Sequence, residues 1–268
     1  MLMVVDTEPD ASANSPIQDA SGSEPTSRKQ GRAYELFAWS KKHKVIIVLA
    51  TVFIFCLFEY FTLPNDGLLK LRKTNPARTA LMEQRIEEAK SQGKTLKIHR
   101  TWIPLSQISP FLIHAVIVSE DGTFYEHDGV DWYEMKESVQ KDIEKGRAAR
   151  GGSTITQQLA KNLFLSTSKD PLRKLKELII ALRMENILSK ERILELYLNE
   201  IEWGSGIYGI EAAARKYFGT SAADLTRDQA VRLAAVIPSP LKHQPNQDSR
   251  YVQRRAEIIS LRMAARGY

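Results

Sequence analysis

Apolar residues recur along this chain mostly at helical spacing, but two runs abandon the period altogether. The first is Val45–Phe58, uncharged throughout; Glu59 interrupts it before Tyr60-Phe61-Thr62-Leu63 and Pro64. Val45–Leu63 is 19 residues long, close to the ~20 that span a bilayer. The second is Phe111–Val118, almost wholly apolar, which reads as a buried element. Elsewhere the period is clear. Ile155, Leu159 and Leu163 repeat every four residues, and Leu172, Leu175, Ile179 and Leu182 form the stripe of the next helix. The pattern predicts helices over 109–119, 131–145, 153–164, 171–188, 190–198, 207–217, 226–237 and 248–265. A charged amphipathic helix is predicted over Leu68–Ala89, and Leu96–Leu105 reads as extended. Asp170 with Pro171 suits an N-cap and first helical position, and Ser221–Asp224 and Thr226–Gln229 have capping-box spacing. Strand signals are scarce, so the fold class is mostly α.

Composition adds a domain plan. The 268 residues are 43% hydrophobic, enough for one domain with a core plus appendages. Residues 1–30 are rich in Ser, Asp, Pro and Glu and read as disordered. Arg28, Lys29, Arg32, Lys41, Lys42 and Lys44 precede the first apolar run, and no Lys or Arg lies between Val45 and Lys70. That asymmetry predicts a cytoplasmic N-terminus, a single uncleaved signal-anchor and an outward-facing catalytic domain. A cleavable signal peptide is the competing view. It fits less well, because the run is long, starts deep in the chain and has no small-x-small site after it. The plan is therefore a basic disordered tail over 1–44, a transmembrane anchor over 45–63, a stem or membrane-proximal helix over 64–95, and the main domain over 96–268. The only cysteine, Cys56, falls in the anchor, so the outer domain carries no disulfide.

The net charge of +6 invites a polyanion, but no nucleic-acid motif is present, and an anionic membrane surface fits better. Histidines 43, 99, 114, 127 and 243 are scattered without zinc-site spacing. Ser166-Thr167-Ser168-Lys169 fits the Ser-x-x-Lys nucleophile pattern, yet neither Ser-Asp-Asn nor Lys-Thr-Gly follows it.

Three segments carry candidate chemistry. Gly151-Gly152 opens a helix on which Thr154, Gln158, Lys161 and Asn162 share a stripe, and no carboxylate occurs between Gly151 and Lys169. A glycine-opened helix N-terminus with neutral hydrogen-bonding groups and a lone lysine suits an anionic, sugar-like ligand; a plain polar helix face is the alternative. Glu120 ends the buried run Phe111–Val118. Burial and the negative end of the helix dipole both raise a carboxyl pKa there, as a general base or acid requires; a Glu-Asp-Gly turn facing water is the alternative. Arg173 and Glu177 lie four residues apart, a spacing that by itself describes a surface ion pair.

In this order the motifs resemble the peptidoglycan glycosyltransferase family, whose domain is shared with class A penicillin-binding proteins. Glu120-Asp121, Phe124, His127, Gly129 and Asp131 match its first motif, Gly152–Asn162 its second, and Arg173-Lys174 with Glu177 its third. Ile193–Asn199, continuing through Gly204, Gly209, Ala212-Ala213 and Tyr217-Phe218-Gly219, matches the fourth, and Leu233-Ala234-Ala235 with Pro238 and Pro240 the fifth. Thr220 departs from the lysine many members carry. The resemblance covers roughly Ile98 to the C-terminus.

It implies a lysozyme-like glycosyltransferase domain with a small membrane-proximal lobe. It also implies an inverting polymerase without transpeptidase activity, joining a polyprenyl-pyrophosphate-linked glycan chain to the 4-hydroxyl of lipid-linked disaccharide-pentapeptide (lipid II). Glu120 and Glu177 would be catalytic. Asp121, Phe124, His127, Ser153, Thr154, Gln158, Lys161, Asn162, Arg173, Lys174 and Asn199 would bind substrate. No cofactor is obligatory, and a divalent Mg or Mn at the pyrophosphate is left open. The implied partners are lipid II, the growing glycan, the membrane and other cell-wall synthesis or division proteins, with no nucleic acid. The implied location is the bacterial inner membrane, single-pass. Two rivals remain: a lytic enzyme on a lysozyme-like fold, which has no use for Lys161 and Arg173, and a non-enzymatic wall-assembly scaffold.

Overall fold

A computed structural model describes residues 43–145, 152–165, 167 and 171–268. The predicted tail over 1–42, Gly151, the N-cap Asp170, and Ser166 and Lys169 of the Ser-x-x-Lys pattern lie outside the described residues. The chain divides into two compact units, Met1–Phe58 and Glu59–Tyr268.

Helix α1, Lys44–Thr62, follows the first apolar run, and its residues Val45, Ile46, Val48, Leu49, Phe53 and Ile54 are exposed. Among the described residues, no helix is long and apolar enough to cross a membrane. The side chains of Cys56, Glu59, Tyr60 and Thr62 fall outside that description.

From Glu59 onward the fold is mostly helical. After α1 come α2 (Asn65–Lys70), α3 (Ala80–Ser91), β1 (His99–Arg100), α4 (Pro110–Glu120), α5 (Trp132–Lys145), α6 (Ile155–Phe164) and α7 (Pro171–Ile187). They are followed by α8 (Lys190–Glu200), β2 (Glu202–Gly204), β3 (Ile207–Tyr208), α9 (Ile210–Phe218), α10 (Arg227–Val236) and α11 (Arg250–Ala265). The single helix expected over Leu68–Ala89 is two helices, α2 and α3. Pro76 between them lacks an amide hydrogen for helix bonding, and Thr79 starts α3 afresh by accepting the Met82 amide at 3.1 Å.

The helix expected from 207 begins instead at Ile210. Ile207–Tyr208 pairs in parallel with His99–Arg100 and antiparallel with β2, giving the sheet order β1-β3-β2. Gly209 makes the turn from strand to helix with φ 76°, and a Cβ there would lie 2.7 Å from the Asn199 carbonyl oxygen. Only glycine fits. Arg85 of α3 reaches Glu202 of β2 at 3.0 Å, and Arg100 of β1 reaches Glu200 of α8 at 2.7 Å. These pairs hold the sheet to its neighbouring helices.

Helix α4 has Pro110 at its first position and is apolar nearly all round; Leu112, Ala115, Val116, Ile117 and Val118 are buried. It packs against α10 and α11, while α6 packs against α7, α8 and α3. Trp203, Tyr197 and Phe124 are among the largest fully buried side chains. Burial of such side chains contributes about 1.5–3 kcal/mol each, so the core fixes where α4 ends and α6 begins.

Candidate active site

Helix α4 delivers Glu120 on its last residue, with only 9% of the side chain exposed. Its Oε2 accepts the Gln158 Nε2–H at 3.0 Å, and Tyr197 donates its hydroxyl to Gln158 Oε1 at 3.0 Å. The Arg255 guanidinium stands 3.8 Å from Oε1, and Ser119 Oγ lies 3.3 Å from it. Burial pushes the Glu120 carboxyl above its ordinary value, against the opposing pull of Gln158, Arg255, Ser119 and Lys161. A buried carboxylate without a close counter-charge is a proton acceptor.

Asp121 follows immediately and joins two segments. Its Oδ2 accepts the Ile155 amide at 2.9 Å, satisfying the first turn of α6, and its Oδ1 is 2.9 Å from His127 Nε2. Because His127 Nδ1 accepts the Gly129 amide at 3.1 Å, the ring hydrogen sits on Nε2 and points at Asp121. Thr154 caps α6 in a reciprocal capping box with Gln157, and its hydroxyl donates to the Gly129 carbonyl at 2.7 Å. Phe124 is fully buried, with Lys190 Nζ 4.6 Å from its ring centroid. Asp121, Phe124 and Thr154 therefore stand behind Glu120 and shape the site from the protein side.

In the last turn of α6, Lys161 is partly buried and makes no ion pair among the described residues. Burial lowers its pKa, Arg173 and Lys174 lower it further, and Glu177 and Glu120 oppose them. Both carboxylates therefore act on the Lys161 ammonium without pairing with it. On α7, Glu177 is 3% exposed; Arg173 Nη1 lies 2.7 Å from its Oε2, and Lys174 Nζ meets its Oε1. Lys174 also donates to Ser153 Oγ at 3.0 Å. The i,i+4 pair that looked like surface decoration thus has a buried carboxylate, Glu177, held by the partly buried Arg173 and the exposed Lys174. Asn162 is buried beside them and makes no hydrogen bond among the described residues.

Asn199 is a correction. It was expected to bind substrate, but it is fully buried and its amide is committed to main chain. Its Oδ1 accepts the Ile103 amide at 3.0 Å, and its Nδ2 donates to the Ile103 and Glu195 carbonyls at 2.9 and 2.8 Å. It pins the extended segment before α4. Sequence reasoning also passed over Arg255: α11 offers arginines at 250, 254, 255 and 262, and their spacing does not say which one turns towards Glu120. Beside the loop, a cavity of about 630 Å³ is lined by Thr123, Glu126, His127, Asp128, Asp131, Trp132 and Tyr133; Glu120 does not line it.

Glu120 at the end of α4 thus meets Gln158 of α6, and Arg173 and Lys174 of α7 engage Glu177. The transglycosylase family model matches residues 87–264. The chain belongs to the transglycosylase family. It is an enzyme of the glycosyltransferase kind. A biosynthetic peptidoglycan transglycosylase of Nitrosospira multiformis is 47% identical over 213 residues, 80% of this chain and 93% of that protein. Proteins of the same description from Chromobacterium violaceum and Aromatoleum aromaticum are 40% and 45% identical, covering 81% and 75% of this chain and 95% and 86% of their own lengths. The match to the transglycosylase family starts before Ile98, within the last turns of α3.

Proposed function

We propose that the chain polymerises peptidoglycan glycan strands, with a glycan on polyprenyl pyrophosphate as donor and the 4-hydroxyl of lipid II as acceptor. The observation that carries this reading is the pairing of buried Glu120 with the Lys161–Arg173–Lys174 cluster. Glu120 takes the hydroxyl proton as that oxygen bonds to the anomeric carbon from the face opposite the carrier. The carbon–oxygen bond to pyrophosphate breaks, and its electron pair leaves on the pyrophosphate oxygen. The product linkage is inverted, and Glu120 returns its proton to water before the next cycle. No acid is required, because the leaving group is an anion stabilised by cations. Lys161 is the best placed of these: burial without an ion pair leaves its ammonium short of partners that a pyrophosphate oxygen would restore. Glu177 orients Arg173 and Lys174, with Ser153 steadying Lys174. A divalent ion is compatible with this chemistry and would arrive with the pyrophosphate, since both Glu177 oxygens are already engaged by cations.

The lysozyme-like lobe and the smaller membrane-side lobe belong to this reading too. So does the anchor: the uncharged run Val45–Phe58 is helical with its apolar side chains exposed, and lysines and arginines precede it. It sets the catalytic unit outside the bacterial inner membrane, beside a lipid-borne substrate and other wall-synthesis proteins. A reporter active only outside the cytoplasm, fused after Tyr268, is expected to be active. Activity from a cytoplasm-only reporter there would refute the orientation.

The deciding experiment gives wild type and Lys161→Ala two substrates, lipid II and finished pyrophosphate-free strands. Polymer from lipid II by wild type alone, with strands uncut, is the expected result. Strand cleavage that survives Lys161→Ala, with no polymer from lipid II, would establish a lytic enzyme instead.

A further inference from the structure

Gln158 touches Glu120 with a side chain that has two unlike ends. Its amide nitrogen can donate to an ionised carboxylate, whereas its carbonyl can only accept from a protonated one. Which end faces Glu120 therefore biases whether the proton is present. Behind Gln158 stands Tyr197 of α8, fully buried, and among the described residues its hydroxyl bonds only to Gln158 Oε1, at 3.0 Å. If the amide turned over, its NH₂ would face the phenol oxygen, and the O–H proton of the fully buried Tyr197 would lose its acceptor. Burial penalises that stranded donor.

We infer that Tyr197 is a positioning residue that fixes the direction of the Gln158 amide, so that the nitrogen rather than the carbonyl meets Glu120. The inference rests on Glu120 being the base of the proposed transfer. The chain Tyr197 O–H to Gln158 Oε1, Gln158 N–H to Glu120 Oε2 holds Glu120 ready to accept a proton and disfavours its resting in the spent, protonated form.

Other charges near Glu120 are fixed and do not read the amide's direction. Lys161 faces it from α6 and Arg255 from α11, while its neighbour Asp121 is engaged by His127 and the Ile155 amide. On α10, Arg232 pairs with Asp228 and Asp248, and Arg227 donates to the Ser260 carbonyl. Burial raises Glu120 already, so small changes in its hydrogen bonding move the acid limb of the rate profile.

The test is the pH dependence of kcat and KM for full-length Tyr197→Phe, polymerising lipid-linked disaccharide in detergent. The acid limb of kcat is expected to move up by about half to one pH unit, with KM within about twofold of wild type. One unit below the limb, the rate falls about three- to tenfold and recovers at higher pH. Replacing Tyr197 by 3-fluorotyrosine, a stronger donor of nearly equal size, is expected to move the limb down. It also provides the reading if the phenylalanine variant folds poorly. In a Gln158→Met background, Tyr197→Phe is expected to add no shift.

A rate loss equal at every pH, or an undiminished shift in the Gln158→Met background, would overturn the inference. Glu120→Gln separates the levels. If Glu120→Gln is inactive while Tyr197→Phe leaves the limb in place, this inference alone fails. If Glu120→Gln stays active, the base assignment fails with it.

Discussion

Glu120 and Glu177 are both nearly buried and both face Lys161, yet their surroundings differ in one decisive way. Glu177 has a cation on each oxygen, Arg173 on one and Lys174 on the other. Glu120 has a neutral amide on one oxygen and its nearest guanidinium 3.8 Å away on the other side. A carboxylate clamped by two cations serves as their counter-ion. One left nearly buried with only neutral donors within hydrogen-bond distance is suited to take a proton from a hydroxyl that approaches it. Sequence spacing does not distinguish the two glutamates; the partners each acquires on folding do.

The strongest way to break this contrast is to neutralise each acid in turn. Glu120→Gln is expected to cost two to four orders of magnitude, roughly 10²–10⁴ in turnover with lipid-linked disaccharide. Retention of more than about a tenth of the rate would remove Glu120 from the role of base. Glu177→Gln is expected to lower turnover with the acid limb of the pH profile unmoved, since its part is to hold Arg173 and Lys174. A limb that moved with Glu177 would make it a second proton carrier.

Next in size are the cations. Lys161→Ala and Arg173→Ala are each expected to slow polymerisation about thirty- to a thousand-fold, the worth of about 2–4 kcal/mol for one charge-assisted contact in a desolvated cleft. Normal rates for both variants would detach the cluster from the leaving group.

A structural control comes third. Asn199→Ala strands the Ile103 amide and carbonyl, at about 1–3 kcal/mol for each buried group left unpaired. The melting temperature should fall, with KM unchanged in the surviving fold. A raised KM at unaltered stability would return Asn199 to the binding site.

The smallest effect is a gain. Because burial raises the Glu120 pKa, the folded chain binds that proton more tightly than the unfolded chain does. Stability is therefore unimpaired below the ordinary carboxyl value and declines as pH rises through the folded value. Glu120→Gln removes this cost, so its melting temperature at pH 7 should exceed wild type by about 2–4 °C. The advantage should vanish in acid. A variant less stable than wild type at pH 7 would mean that Glu120 is held ionised in the fold.

Much of this arrangement was legible in the sequence. The helices over 109–119, 131–145 and 226–237 lie within a residue or so of α4, α5 and α10, because long apolar periods and capping pairs such as Thr226–Gln229 signal them directly. The strands were not legible. Two or three residues around Gly204, Gly206 and Gly209 carry no alternation long enough to register, and their pairing with His99–Arg100 bridges distant segments. The site was legible by type but not by direction. Glu120 and Gln158, from two separate motifs, meet in the fold, whereas Asn199 turns inward to main chain and Arg255 turns in from an arginine-rich helix without distinguishing spacing. The Arg173–Glu177 pair has the spacing of a solvated helix face, and only the packing of α6 on α7 buries it.

Asp121 has a consequence for how tolerant the site is of change. With one carboxyl it closes a short circuit: Glu120 is its chain neighbour, and the first amide of α6 is its hydrogen-bond partner, only three residues before Gln158. Base and amide are thus registered through a single side chain, while the chain between them makes a detour from Gly122 to Ser153. The detour is mechanically in parallel with that circuit. Its fastenings are the fully buried Phe124, the His127 ring on Asp121, the Gly129 carbonyl under Thr154 and the Ser153 hydroxyl under Lys174; exposed positions such as Tyr125 can drift through evolution or engineering while the spacing of Glu120 and Gln158 stays as it is.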